Sequence, residues 1–215
     1  MERPLARLLE RSVGLNCGSP VAIPAAAVEL VGRCGAPGRE LLDVWGVQDG
    51  FLAFDGALVL RPCSDGAGVL DVVRWNEPGL WRDAYPLSLQ GVFFAEDAFG
   101  NPFGLTEQGV ALLDAETAEL EAFADSLEGW AERILEEPEY HTGWPLLVEW
   151  QGVHGALPLG RRLAPKRPFA LGGEYVVDNL AAARDVDAMK ARGRLAAQLS
   201  SLKPGERVFY ELPTA

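Results

Sequence analysis

Two adjacent carboxylates, Glu96 and Asp97, sit in the most heavily punctuated stretch of the chain, FAEDAFGNPFGL at Phe94–Leu105. Such a pair has the chemistry for acid/base work or for holding a cation. The same residues also suit a solvated turn in which Asp97 caps backbone N–H groups, and Gly100 and Asn101 beside it favour that turn. Other reactive residue types stand apart. His141 and His154 lie in no His-Glu-x-x-His zinc pattern. Cys17, Cys34 and Cys63 are an odd, widely spaced set without a Cys-x-x-Cys pair, which suits reduced, mostly buried thiols. Neither a Gly-x-Ser-x-Gly elbow nor a Walker-type phosphate loop occurs, and Gly100, Gly104 and Gly109 do not have dinucleotide-fingerprint spacing. The residues therefore predict no catalytic set, no metal and no cofactor.

Charge is the second signal. Residues 91–150 hold fourteen carboxylates and one arginine, Arg133, for a net charge of −13, whereas 1–90 carries −3 and 151–215 carries +4. A band that concentrates the whole excess can steer a basic partner. It also repels phosphates, so direct nucleic-acid binding is not expected. Glu96, Asp97, Glu107, Asp114, Glu116, Glu119 and Glu121 are the candidate docking charges. Trp75 and Trp81, flanking the polar Asn76–Gly79 turn, and Phe99 are candidate interface anchors, with core packing as the alternative for the tryptophans. Arg161, Arg162, Lys166 and Arg167 form a loose basic cluster, read as a solvated loop pairing with the acidic band rather than as a phosphate site.

The elements that must position these residues follow from pattern. At 215 residues and 48% apolar composition the chain can build a sizeable core. No apolar run reaches the ~18 residues of a membrane span, and MERPLARLLERS lacks the core of a secretory signal, so a cytoplasmic protein is expected. Helices are predicted at Leu5–Arg11, from Pro24 to about Val31, and at Arg39–Trp45 with Gly46 as left-handed cap. Phe51–Arg61 reads as a hairpin around Asp55–Gly56. Gly68–Trp75 fits strand or helix, and Pro78–Ala84 a helical turn. Strands at Val92–Ala95, Pro102–Thr106, Val110–Leu113 and Leu120–Phe123 make a meander. A helix follows, capped by Asp125 with Glu128 closing a capping box, its stripe being Leu127, Trp130, Ala131, Ile134 and Leu135. Leu146–Trp150 reads as a strand and Gly152–Pro168 as a loop. A last helix begins at Asp185 or Asp187 with Met189, Ala196, Leu199 and Leu202 inward. A Pro204–Gly205 turn and a closing strand at Arg207–Leu212 end the chain. Helices, then sheet, then helix predict an α+β fold, a twisted antiparallel sheet flanked by helices. The expected division is 1–150 as the α+β domain and 151–215 as a C-terminal extension packed on it.

GVFFAEDAFGNPFGL (Gly91–Leu105), followed by GVALLDAETAELEAFADSLEGWAERIL (Gly109–Leu135), resembles the central segment of Smi1/Knr4 (SUKH-superfamily) proteins. WGVQDGFLAFDGALVLRP (Trp45–Pro62) is similar to the family's stretch around Phe-Asp-Gly-Ala-Leu, and PFALGGEYVVDNL (Pro168–Leu180) resembles the tail of longer bacterial members. Pro102 stands where many members have Gln, and Ala118 where the turn usually has Gly. The resemblance implies a non-enzymatic immunity protein that binds a cognate bacterial toxin and occludes its active site. The target would include toxins that act on nucleic acids. The family's eukaryotic relatives imply an alternative, a regulatory or scaffold module. A carboxylate enzyme built on Glu96 and Asp97 is the third reading of the same residues.

Overall fold

Short apolar runs separated by Asp, Asn and Gly turns build a sheet in chain order, and its middle strands are buried at nearly every residue. The computed structural model describes residues 3–16, 22–66, 68–86, 89–203 and 206–211. Strands β1 (Ser12–Asn16), β2 (Asp49–Ala53), β3 (Leu58–Leu60), β4 (Val92–Glu96), β5 (Pro102–Thr106), β6 (Gly109–Leu113) and β7 (Leu120–Ala124) form one seven-stranded antiparallel sheet, each pairing with its sequence neighbours. A separate hairpin joins β8 (Arg161–Pro165) to β9 (Leu180–Arg184). The helices are α1 (Pro4–Glu10), α2 (Ala25–Gly32), α3 (Gly35–Val47), α4 (Val72–Trp75), α5 (Leu127–Glu136), α6 (Pro138–Thr142), α7 (Trp144–His154) and α8 (Asp185–Ser201). The predicted α+β architecture, an antiparallel sheet flanked by helices, is what the chain adopts.

The sheet is covered on both faces. On one, Leu8, Leu41, Trp45 and Trp130 from the helices meet Phe51, Leu60, Phe94 and Phe103 from the strands. On the other, Trp75, Trp81, Tyr85 and Phe93 pack with Met189 and Ala196 of α8. A third cluster joins Ala57 and Ala98 to Leu147 and Trp150 of α7 and to Leu163 and Leu180 of the hairpin. The register of β4 against β5 slips between Phe93 and Ala95, which is a bulge. It resets the alternation: Phe94 and Ala95 both enter the first core, and Glu96 turns toward the side of α8. Because β3 is short, Phe93 has no strand partner on that side. The buried Asn76 amide takes its place, accepting from Phe93 N at 2.9 Å and donating to Phe93 O at 2.8 Å.

Several local expectations shift. Gly46 lies inside α3, which runs on to Val47, and is no cap. Ser126, not Asp125, caps α5, its Oγ accepting from Gly129 N at 3.1 Å. Glu128 reaches α1 instead, accepting from Leu5 N at 3.0 Å and pairing with Arg3 at 2.8 Å. Leu146–Trp150 is helical, not a strand: Pro145 sits in the first turn of α7, where a missing N–H costs nothing, and Leu147 and Trp150 are buried three residues apart while Val148 is exposed. Trp150 therefore falls inside a helix, not at a boundary. Part of the basic loop is β8. Residues 207–211 have no regular secondary structure and pair with no sheet; the Gln198 amide bonds Phe209 N at 2.9 Å and Phe209 O at 2.8 Å in a strand's place. Leu202 is exposed past the end of α8. Cys17, the Pro204–Gly205 turn and Leu212 lie outside the described residues.

Candidate functional site

Glu96 and Asp97 diverge. Glu96, 1% exposed, accepts from Arg61 Nη2 at 2.9 Å and from Arg162 Nε at 2.8 Å. Arg61 also reaches Asp185 at 3.1 Å and lies flat on the Trp75 ring, 3.4 Å from its centroid. Burial would raise the Glu96 carboxyl, but the two guanidiniums outweigh it and hold its pKa below the ordinary value. Asp185 goes the other way, raised by burial against the pull of Arg61. This four-membered ionic cluster ties β3, β4, β8 and α8 together. Glu96 is thus structural, and not available as a docking charge.

Asp97 makes the predicted turn. Its Oδ1 accepts from Phe99 N at 2.9 Å and Asn101 N at 2.8 Å, and its Oδ2 from Asn101 Nδ2 at 2.8 Å. Burial nevertheless lifts its pKa to about 6 against those bonds. The turn aims Phe99 and Asn101 into a surface cleft of about 620 Å³, shared with Asp114, Glu119 and Glu121 from the β6–β7 side and Glu139, Tyr140 and His141 of α6. Gly143, with φ +69, lies where a Cβ would stand 2.5 Å from Phe99 Cε2, so glycine lets the aromatic floor seat. Tyr140 and Tyr175 at the rim are 82% and 64% exposed. Burial and nearby Arg133 lower the His141 pKa, so its imidazole adds no positive charge near neutral pH.

Of the predicted docking charges, Asp114, Glu119 and Glu121 come together in this cleft, exposed. Asp114 also shapes its turn, accepting from Glu116 N at 2.8 Å. Glu116 is buried and accepts from Ala170 N at 2.8 Å; burial raises its pKa. Glu107 opens onto a different groove beside Gln108 and Asp125. The anchors divide too. Phe99 is in the cleft, but Trp75 and Trp81 are 0% and 1% exposed and pack on each other and on Phe93. They are core residues, because the turn between them folds its polar Asn76 inward to brace β4. The basic cluster is used internally: Arg162 on Glu96, Lys166 on Asp178 O at 2.8 Å and Arg167 on Leu171 O at 3.0 Å. Cys34 and Cys63 are buried thiols, and burial lifts Cys63 to about 12. Among the described residues, no three His, Cys, Asp or Glu side chains gather as a metal-holding group.

Glu139, Tyr140, Tyr175 and Arg192 were not singled out by sequence. Only Arg192 carried a readable signal: it shares the inward stripe of α8 with Ala188, Met189, Leu195 and Ala196. No helix among the described residues is long and apolar enough to cross a membrane. No protein-family model matches the chain, and no curated protein matches it in sequence. Among solved structures the chain is similar to the crystal structure of Atu4351 from Agrobacterium tumefaciens, at 17% identity and a TM-score of 0.58 over 86% of each chain. That likeness shows a shared α+β fold, and the fold alone.

Proposed function

We propose that this chain is a cytoplasmic immunity protein that seats a basic surface of a cognate bacterial toxin over its acidic cleft and so occludes the toxin's active site. One observation carries the reading: exposed Asp114, Glu119, Glu121 and Glu139 converge on a single cleft whose rim bears two exposed tyrosines. Carboxylates so placed raise the encounter rate with a cationic surface, and tyrosines supply contact area at low entropic cost. A toxin whose substrate is polyanionic presents a phosphate-binding pocket, and arrayed carboxylates fit such a pocket. The sequence resemblance to Smi1/Knr4 proteins supports the toxin as the partner class. Inhibition of this kind needs slow dissociation and no turnover.

Co-expression with the polypeptides encoded beside its gene tests this directly. The expected result is a stable complex with one of them and restored growth when that polypeptide is toxic. A chain that neither co-purifies with any such polypeptide nor protects the cell sinks the proposal.

A further inference from the structure

Adjoining the acidic cleft is a second chamber of about 290 Å³, sharing Phe99, Asn101, Asp114 and Tyr175 with it and lined also by Arg192. Arg192 is 1% exposed, and neither its Nε nor its Nη2 has a hydrogen-bond partner. Buried donors left without an acceptor are costly, and these two N–H groups call for one. Arg192 offsets charge on Asp97 and Glu116 at longer range, but the hydrogen-bonded oxygens around it go elsewhere: Glu116 Oε2 to Ala170 N, Asp114 Oδ1 to Glu116 N, and both Asp97 oxygens to the turn. The buried Tyr210 hydroxyl likewise has no partner. Phe169 and Tyr175 stack at 3.8 Å, with Phe99 edge-on to Phe169 at 5.5 Å, and all three rings line the chamber.

We infer that this chamber is a carboxylate socket built around Arg192, and that its ligand is a cationic residue bearing a free α-carboxylate. The carboxylate accepts from Arg192, while the cation meets the rim acids Asp114, Glu119 and Glu121 and the aromatic faces. A simple anion such as phosphate is disfavoured, because the surrounding acids outnumber the one arginine. A purely cationic ligand leaves Arg192 Nε and Nη2 without an acceptor. The inference deepens the docking reading, since it assigns the cleft the C-terminal residue of a basic polypeptide, or the corresponding free amino acid.

Calorimetric titration of the full chain decides it, using Gly-Gly-Arg with a free carboxylate, the same peptide as its C-terminal amide, free L-arginine, and agmatine. The free-acid peptide is expected to bind saturably and at least tenfold tighter than the amide. Arg192→Gln should erase that preference, and Glu121→Gln should weaken both peptides while keeping it. Free arginine binding as well as the peptide acid identifies a free amino acid as the source, and peptide binding alone identifies a polypeptide end. Equal affinity for acid and amide overturns the socket, as does absence of saturable binding by all four, which leaves Arg192 satisfied by ordered water alone. If Arg192→Gln does not fold, the acid-to-amide ratio on the unsubstituted chain remains decisive. Failure of toxin docking appears instead in complex formation, and leaves that ratio untouched.

Discussion

Glu96 Oε1 and Arg162 Nε meet at 2.8 Å across a sequence separation of 66 residues, both side chains all but sealed from water. The contact joins the central sheet to the C-terminal hairpin by charge, beside the apolar cluster that holds Ala98 against Leu163 and Leu180. Replacing Arg162 leaves the buried Glu96 with Arg61 alone, and Arg61 is shared with Asp185. Arg162→Met is expected to cost about 3–5 kcal/mol in urea unfolding, and the double variant Glu96→Met/Arg162→Met to recover a large part of it. Arg61 and Asp185 keep their own contact at 3.1 Å in the double variant. A single variant that unfolds like the parent would show that the pair contributes nothing.

Trp81 separates a core role from an interface role. At 1% exposure, Trp81→Ala should lower stability by about 3–5 kcal/mol by opening a cavity against Trp75, Tyr85 and Phe93. An interface anchor would behave in the opposite way, leaving the melting curve alone and weakening only the complex.

Glu119, Glu121 and Glu139 are exposed at the cleft, so reversing them to Lys should change stability by no more than about 0.5 kcal/mol each. Association with the partner should slow roughly tenfold or more at low salt, and the difference should shrink as salt screens it. Stopped-flow association at two ionic strengths measures both. Equal rates for parent and variant would remove the cleft from the docking reading.

Asp97 gives stability a slope with pH. Its carboxyl is raised from 3.8 to about 6 by burial, so the folded chain keeps a proton that the unfolded chain releases near pH 4. This contribution is full below about pH 4 and lost as pH rises through about 6. Glu116 and Asp185, also raised by burial, act in the same direction. Glu96, whose pKa is depressed, acts oppositely: its contribution is present above the ordinary glutamate value and is lost below it. Asp97→Asn should flatten the decline between pH 4 and 6 in unfolding series. An unchanged slope would place the titration elsewhere.

Ala118 sits at φ +65 in the β6–β7 turn, a conformation that crowds an L side chain. Ala118→Gly is expected to raise stability by about 1 kcal/mol in the same unfolding assay. A destabilised variant would show that the methyl packs usefully against the core around Leu113 and Ala115.

The central meander is legible because short apolar runs are set apart by segments rich in Asp, Asn, Gly and Glu, so β5 is predicted to the residue and β4, β6 and β7 to within one. Glu96 was misread for a reason that no alternation shows: the extra residue at Phe94 flips every later side chain of β4 to the other face. Arg162 looked like part of a solvated loop because Arg161, Lys166 and Arg167 surround it, yet only it is buried. β1 and β9 escaped notice because SVGLN and LAAAR carry too little bulk to stand out. Apolar Leu146–Trp150 fits a strand by composition, and only the three-residue spacing of its buried members tells otherwise. Asp97's capping role, by contrast, follows from its place before Gly100 and Asn101. The cleft joins residues from four separate segments, so its Asp97–Phe99 and Asp114–Glu121 sides show in the sequence and its Glu139, Tyr140 and Tyr175 side does not.

A sheet whose strands pair in the order they are made can assemble while the remainder is still on the ribosome. Until β8 and α8 emerge, Glu96 has Arg61 but neither Arg162 nor the balancing Asp185. The buried charge cluster is therefore completed only by the last elements to be made, so Arg162 and Asp185 clasp the end of the chain to its centre.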